Sequence, residues 1–551
     1  MACRAASTAA PAARGRTEVP EQSDVVVRPF SQAMSTHPGL APSVSLILPS
    51  SIDAPHPPAW TELTSPLPPP PLLVPLPQII GSGIGGLCCA AIAARYGFSV
   101  TLLESHTIAG GCAHSFERGG YEFDSGPSFF ADIGSESSSN NALKQVLDLV
   151  GESVDCAEYT GWTAHLPEGV FKCENNEAAY LREIERFGGA SAVEEWRALS
   201  EVMAPLARST EAMSFASLRN DLFAAFTVGR NGPAFAQSGI FNGGPFDAMA
   251  TLNGPFSYLL DKANVKNTFL RNLIDLECFV LSGMRAEATL SPEMAYMYQE
   301  RHKENSKLDY PMGGTRTIID ALVRGIERYG GRVILGAHVE EITFDGAGKA
   351  SGVKLSSGQT IRATKKVVSN ASVWDTYMKL VPDKHLTPGA AKVASSVPNL
   401  DSFIHLHLGI DGENLGDLGI HHLVVNDWEG GVDAEQNVIN ISIPTMLDPS
   451  LAPPGKHVVH AYTAANEPYG IWENLKRGSK EYNGRLAHSL AHSLTHSLSQ
   501  SLELSSAPLL ESYPLSSLAD GLRLLSSPRV LSSLFLRSNE RGALPGGVES
   551  P

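Results

Sequence analysis

The 551-residue chain lacks a cysteine framework. Its seven cysteines include no C-x-x-C pair, and Cys88 and Cys89 stand side by side in an alanine-rich run. Neither a zinc ribbon nor a disulfide scaffold is encoded, and a reducing compartment is the simple reading. Positive charge is also short: 42 Lys and Arg against 58 Asp and Glu leave a net charge of −16. That balance argues against nucleic acid and against a membrane held by basic residues. No apolar run reaches the roughly 18–20 residues of a spanning helix, so any membrane contact is expected to be peripheral. No serine sits on a nucleophile elbow, and no Ser-His-Asp arrangement is evident. What remains is a rather apolar, folded chain with 43% hydrophobic and 18% charged residues. Its length exceeds the usual single core, so two domains are expected.

Against these absences one stretch stands out. Ile79-Ile80-Gly81-Ser82-Gly83-Ile84-Gly85-Gly86-Leu87, closed by Leu102-Leu103-Glu104, reads as strand, glycine turn, helix, strand and acid. That order grips the ADP half of a dinucleotide. Gly81 permits the tight turn, Gly83 lets the backbone approach the pyrophosphate, and Gly86 lets the helix lie close on the sheet with its N-terminus toward the phosphates. Glu104 is placed for the ribose hydroxyls, and an acid there disfavours a 2′-phosphate. A second glycine pair, Gly110-Gly111, follows within one short loop and gives another close backbone approach along an extended cofactor. Plain NAD enzymes do not need it, so FAD is the cofactor expected.

The segments "GSGIGGLCCAAIAARYG", "LLESHTIAGGCAHSF" and "YEFDSGPSFF" resemble the start of the carotenoid isomerase and bacterial-type phytoene desaturase branch of the flavin amine-oxidase-like enzymes. Plant and algal carotenoid-isomerase-like proteins are the nearest type. Tyr310-Pro311-Met312-Gly313-Gly314, the run Ile319 to Tyr329, Gly330-Gly331-Arg332-Val333 and His338-Val339-Glu340-Glu341-Ile342 resemble the family's second cofactor segment, where the backbone around Val339 meets the adenine. Val367-Val368-Ser369-Asn370-Ala371 resembles the return strand. The likeness covers roughly 79–483, and Cys112 departs from it where a small residue or asparagine is usual.

The resemblance implies an α/β fold: a doubly wound, Rossmann-type FAD-binding domain interleaved with a mixed α+β substrate domain, in an amine-oxidase-like architecture. The expected divisions are 1–23 as a transit or unstructured start, 24–27 as the beginning of the first cofactor strand, and 28–78 as a proline-rich insert. FAD-binding parts at 79–150 and 306–375 alternate with a helical substrate region at 151–305 and substrate-domain strands at 376–483. A low-complexity tail fills 484–551. The cofactor residues expected are Gly81, Gly83, Gly86, Glu104, Gly110, Gly111 and Val339, with Asp124 and Ser125 read as structural and no metal site. The activity implied is cis-to-trans isomerisation of an apolar carotenoid polyene, in a plastid and in peripheral contact with a membrane. A carotenoid desaturase or saturase shares every motif quoted. An amine oxidase of the wider superfamily and a truncated, non-catalytic product are the other readings.

Two segments do not belong to this pattern. Arg28 to Gln78 interrupts what should be one strand from Ser23-Asp24-Val25-Val26-Val27 into Ile80-Gly81, and it holds fourteen of the 37 prolines. Proline lacks the N–H and fixes φ, so neither helix nor central strand is expected there. Its Pro, Leu and Ser richness and terminal Gln78 fit a translated intron; a proline-rich binding linker is the alternative. After Asn483 the chain enters a four-residue repeat containing His488, His492 and His496. A period of four drifts about 40° per step around a 3.6-residue helix, so no lasting apolar stripe forms. The Gly-Asp and Ala-rich helix start that closes over the flavin in the family is not found after 483; Ala519-Asp520-Gly521 is the nearest approach. The first 17 residues carry three arginines, seven alanines and no acid, which suits either a transit segment or an unstructured terminus.

Between the cofactor segments, Ser191 to Ala207 and Phe269 to Ser282 show helical spacing. Phe223, Phe226, Phe235, Phe241 and Phe246 are expected to pack in a core, with a polyene tunnel or membrane face as the alternative. His405 and His407, two apart, share one face if 403–409 is a strand. A half-buried strand face is the expected role there, with substrate or metal contact as the alternative. His421-His422 and Asp427-Trp428-Glu429 are left without a role.

Overall fold

The structure is a computed structural model, and it describes residues 24–25, 77–134, 141–213, 232–303, 306–363, 365–398, 401–411, 418–476 and 479–482. The expected transit segment, nearly all of the proline-rich insert, Phe223, Phe226, the histidine repeat and Ala519-Asp520-Gly521 lie outside the described residues. The chain divides into two compact units, each built from separated segments. The first takes Met1–Gly111, Leu149–Gly151 and Leu322–Pro398; the second takes Cys112–Asp148, Glu152–Ala321 and Asn399–Pro551. The two units are thus interleaved along the chain.

In the first unit, short parallel strands carry the glycine turn. Pro77–Ile80 pairs in parallel with Val367–Ser369, and Thr101–Leu103 pairs in parallel with Arg332–Ile334. The two pairs are linked where Gly81 N–H donates to Leu103 O at 2.8 Å. Ile79, Ile80, Leu102, Leu103 and Val367 on these strands are buried, as residues of parallel strands covered by helices are. The helix Ile84–Arg95 lays Leu87, Ala90, Ala91 and Ala94 on the sheet, all at 0–1% exposure. Alanine supplies the helix propensity and the small size that lets backbone approach sheet. A three-stranded antiparallel sheet, Val339–Phe344, Ala350–Leu355 and Thr360–Arg362, completes this unit with its first turn at Asp345–Lys349.

Asp24–Val25 is not the beginning of the strand that contains Ile80. It lies beside that strand, in parallel, with Asp24 opposite Pro77 and Val25 opposite Gln78. Pro77 and Gln78, the last residues of the insert, occupy the strand's first positions instead. Proline is tolerated at the first residue of a strand, where its missing N–H costs least. Gln78 is fully buried.

The second unit contains a six-stranded sheet in the order Ser402–Asp411, Lys456–Glu467, Val438–Ser442, His421–Val425, Gly161–Leu166 and Gly169–Glu174. Every pairing is antiparallel except His421–Val425 with Gly161–Leu166. Helices Glu177–Met213, Phe256–Lys262, Thr268–Ser282 and Ser291–His302 share with this sheet an aromatic-rich core around Trp196, Tyr180, Tyr298, Phe256 and Phe279. The first of these helices bends at Gly189, whose φ of 76° no helix accommodates. Buried within the core, the Glu277 carboxylate accepts from Arg301 Nη1 at 2.6 Å, from Tyr180 OH at 3.0 Å and from Tyr298 OH. Burial of such an ion pair is tolerable only with those extra hydrogen bonds.

The expectation that the aromatic stretch is core fails at two positions. Phe246 is 91% exposed and Phe241 is half exposed, with Met249 likewise outward on the helix Pro245–Asn253. That helix buries Ala248 and Thr251 and packs Leu252 against the core, while Phe246 and Met249 face out.

Candidate dinucleotide site

The glycine turn of the first unit brings the expected cofactor residues together. Gly81 leaves the strand at φ 91°, a left-handed conformation that only glycine adopts without strain. Gly83 caps the helix and offers no side chain, so the first-turn N–H groups have no side-chain acceptor. Such a helix start presents donors and a positive dipole end to an anion. A Cβ on Gly86 would fall 2.1 Å from Gly81 O, which fixes the helix against its own turn. Gly110 bridges to Gly83 in the manner of a parallel strand, and a Cβ on Gly111 would sit 2.9 Å from Gly83 Cα. The two glycine pairs therefore pack backbone to backbone.

Glu104 ends its strand beside this turn, with its backbone N–H donating to Ile334 O at 2.9 Å. Its Oε2 accepts from Ser82 N–H at 2.8 Å and Ser82 Oγ at 2.7 Å, while Oε1 accepts from His106 N–H at 2.8 Å and more distantly from Ser105 Oγ at 3.4 Å. Burial of the carboxyl is the largest single influence and opposes ionisation. The His106 N–H and the Ser82 hydroxyl and N–H together outweigh it and hold the group below the usual carboxylate range. Glu104 is thus an ionised acceptor locked in place. Val339 is buried at the start of its strand, and Ala337 N–H, two residues earlier, donates to Glu104 O at 2.8 Å. All seven expected residues lie in this first unit.

Two participants were missed in the sequence. Ser82, the variable residue of Gly-x-Gly, joins the parts: its hydroxyl donates to Glu104 and accepts from Gly110 N–H at 3.3 Å, and its carbonyl accepts from the same N–H at 3.0 Å. A serine at that position was the available signal. Asn370 follows the return strand, where its N–H donates to Ile80 O at 2.8 Å, and its exposed carboxamide stands over the turn. A Cβ on Gly83 or Gly85 would come within about 3 Å of that amide. The backbone cradle, the uncapped helix start and the anchored acid fit the pyrophosphate and ribose of a dinucleotide.

In the second unit, Asp124 is a structural hub. Its carboxylate accepts from Ser115 Oγ at 2.7 Å, Thr315 N–H at 2.8 Å, Thr315 Oγ1 at 2.9 Å and Tyr310 OH at 2.8 Å, tying the hairpin 115–124 to the turn 311–315. Ser125 Oγ donates to the carbonyls of His114 and Cys112. His405 and His407 do share a face of the strand Ser402–Asp411, and His460 of the neighbouring strand joins them. Burial depresses His460 to about 2. His421 and His422 are both buried; His422 Nδ1 lies 3.4 Å from His165 Nε2. Among the described residues no helix is long and apolar enough to cross a membrane.

Comparison with known proteins gives this cradle its context. Residues 79–148 match the NAD(P)-binding Rossmann-like domain family. Over 417 residues the chain is 30% identical to prolycopene isomerase 2 of an Oncidium hybrid cultivar, covering 73% of this chain and 66% of that protein. The chain belongs to the Rossmann-type flavin oxidoreductase family that includes the prolycopene isomerases. The Arabidopsis thaliana prolycopene isomerase is 29% identical over 420 residues, covering 74% of this chain and 65% of that protein. The all-trans-retinol 13,14-reductase of Danio rerio is 26% identical over 439 residues, covering 73% and 68%. The chain thus spans about two thirds of the length of these relatives. A flavin is the cofactor that this kinship implies.

Proposed function

We propose that the chain is an FAD-dependent enzyme that converts a cis-configured carotenoid polyene to its trans form, in a plastid. The observation that supports this most directly is the locked acid: Glu104, held ionised by Ser82 and His106, suits the free ribose hydroxyls of an ADP moiety and repels a 2′-phosphate. The chloroplastic prolycopene isomerases among the relatives supply the substrate class and the compartment. In this reading Gly81, Gly83, Gly86, Gly110 and Gly111 admit the pyrophosphate, Val339 borders the adenine, and Asn370 offers an amide toward the phosphates.

Bound flavin supplies the electron exchange with the conjugated chain that lowers one double bond's order. The protein's task is then binding and desolvation, which suits a chain in which no acid–base pair was evident from the sequence. Exposed Phe241, Phe246 and Met249 offer an apolar surface where a membrane-dissolved substrate is collected. Isomerisation leaves no net oxidation, so turnover of poly-cis lycopene by the purified chain under reducing, anaerobic conditions, followed by chromatography of the isomers, tests the proposal. A product of unchanged mass and trans configuration is the expected result. A product two hydrogens heavier would instead favour a saturase, the second reading, which the similarity to the retinol reductase supports. Activity that needs stoichiometric oxidant would favour a desaturase.

A further inference from the structure

The sheet of the second unit carries a histidine cluster that the proposed function does not use. His405 and His407 alternate with Leu406 on the strand Ser402–Asp411, so both imidazoles leave the same face. The antiparallel neighbour places His460 directly opposite His407 and diagonal to His405. One ring nitrogen of each lies within 4.8 Å of those of the other two, and His405 Nδ1 is 2.8 Å from His460 Nε2. We propose that His405, His407 and His460 form a binding site for one divalent late-transition-metal ion, with zinc as the reference case.

Three features of the cluster point to a ligand rather than to packing. First, His460 is buried, and its Nδ1 has no hydrogen-bond partner among the described residues. An unsatisfied buried nitrogen is costly, and a phenylalanine would pack there without that cost. Second, His407 Nε2 stands 3.2 Å from the carbonyl oxygen of Asp124. A carbonyl only accepts, so Nε2 carries the proton and Nδ1 keeps its lone pair. A ring nitrogen donating to a backbone carbonyl is the usual outer partner of a metal-bound histidine. Third, the cluster is graded from buried His460 through half-buried His407 to exposed His405, which gives an ion a way in from solvent.

The donor set selects the metal. Three neutral imidazoles without carboxylate or thiolate suit zinc, cobalt, nickel or copper and not magnesium or calcium. Three histidines leave a fourth tetrahedral position open to water or to a solvent-borne ligand. Metal–nitrogen bonds of about 2.0–2.1 Å place tetrahedral ligand atoms roughly 3.4 Å apart. The three rings lie within 9–17° of parallel, and lone pairs in parallel planes do not meet. Binding therefore turns the rings about their Cβ–Cγ bonds, a soft torsion. The strand backbones need not move.

The test uses the full flavin-loaded chain, without an affinity tag, titrated with Co²⁺ as a visible reporter. The titration is run on the natural chain and on a chain carrying His488→Ala, His492→Ala and His496→Ala, which removes the repeat as a competing source of imidazole. The expected result is one Co²⁺ per chain with tetrahedral d–d bands in both, displaced by Zn²⁺. His407→Phe and His460→Phe keep an aromatic ring in place and are expected to weaken binding by at least about 100-fold, a ligand mattering no less than its outer partner. His405→Ala, at the exposed end, gives the same readout if the other two variants fail to hold flavin. Absence of tetrahedral bands, or bands that survive His405→Ala and His407→Phe, overturns the proposal. Bands lost with the tail histidines alone overturn it equally. Flavin content is read separately, so failure of the metal site does not touch the proposed cofactor.

Discussion

Gly85 and Gly86 stand side by side at the start of one helix and should respond oppositely to the same added methyl group. At Gly86 the new Cβ falls 2.1 Å from Gly81 O, whereas ordinary contact begins at 3.4 Å. The helix must back away by roughly 1 Å, since the opposing atom is backbone and cannot rotate aside. Leu87, Ala90, Ala91 and Ala94 lie buried on the sheet, so that retreat loosens the packed face of the helix. Overpacking of this kind costs about 1–3 kcal/mol. At Gly85 the Cβ meets Asn370 Oδ1 at 2.9 Å, the far end of an exposed side chain that swings away. Both variants share the propensity gain of alanine over glycine, up to about 1 kcal/mol, so their difference isolates the clash. The retreat also withdraws the helix N–H groups from the pyrophosphate. Gly86→Ala should therefore be about 1–3 kcal/mol less stable than Gly85→Ala and should also bind FAD more weakly. Urea unfolding of the apo chains and fluorescence titration with FAD measure both quantities. Equal stability and equal affinity of the two variants would refute the reasoning.

The remaining expectations concern pH, membranes, the insert and the buried ion pair. His421 is fully buried against Phe129, with its pKa pushed down by burial to about 3. Its depressed folded pKa means that its contribution is complete above the unfolded value of about 6.5 and is lost as pH falls toward the folded one. The stability difference between the natural chain and His421→Phe should therefore shrink on acidification by about 1.4 kcal/mol per pH unit between roughly pH 6 and 4; a difference independent of pH contradicts the assignment. Replacing Phe246 and Met249 by serine should reduce co-sedimentation with plastid-lipid vesicles while leaving flavin content unchanged. Retained sedimentation would remove that surface from the proposed function. Excising 28–78 joins Val27 to Ile79 and restores an uninterrupted apolar strand into the glycine turn. The excised chain should hold at least as much FAD as the natural one, and loss of flavin would show that Pro77 and Gln78 are needed where they stand. Arg301→Met strands the buried Glu277 charge and should cost about 3–5 kcal/mol, with much of that recovered by adding Glu277→Leu.

Local signals and non-local ones fared differently. The glycine turn, its helix and its acid were legible because their chemistry is written within some 25 consecutive positions, where each glycine answers a backbone need. The helices 191–207 and 269–282 were legible as cores of longer elements, Glu177–Met213 and Thr268–Ser282. What escaped depended on pairing between distant strands. His405 and His407 were seen as neighbours on a face, but His460 joins them only through a register that no periodicity encodes. Asn370 reaches the turn because the return strand lies beside the first one, and the parallel placement of Asp24–Val25 was hidden because continuity was assumed across the insert. Phe241 and Phe246 misled because composition says that a segment is apolar and not which side of it faces water.

Ser82 shows how closely the two halves of dinucleotide recognition are coupled in this chain. One hydroxyl holds Glu104, the acid proposed for the ribose, and also accepts from the N–H of Gly110, which begins the second glycine pair. The same residue's N–H donates to the same carboxylate oxygen, and its carbonyl accepts from the Gly110 N–H as well. Glu104 and the two glycine pairs therefore form one hydrogen-bonded body rather than three separate pieces. Hydrogen bonds to a charged acceptor are the stronger kind, about 1.5–3 kcal/mol each, so the acid rigidifies the turn even before a cofactor arrives. A cofactor entering such a site meets donors and acceptors already oriented, and less of its binding energy is spent on ordering them.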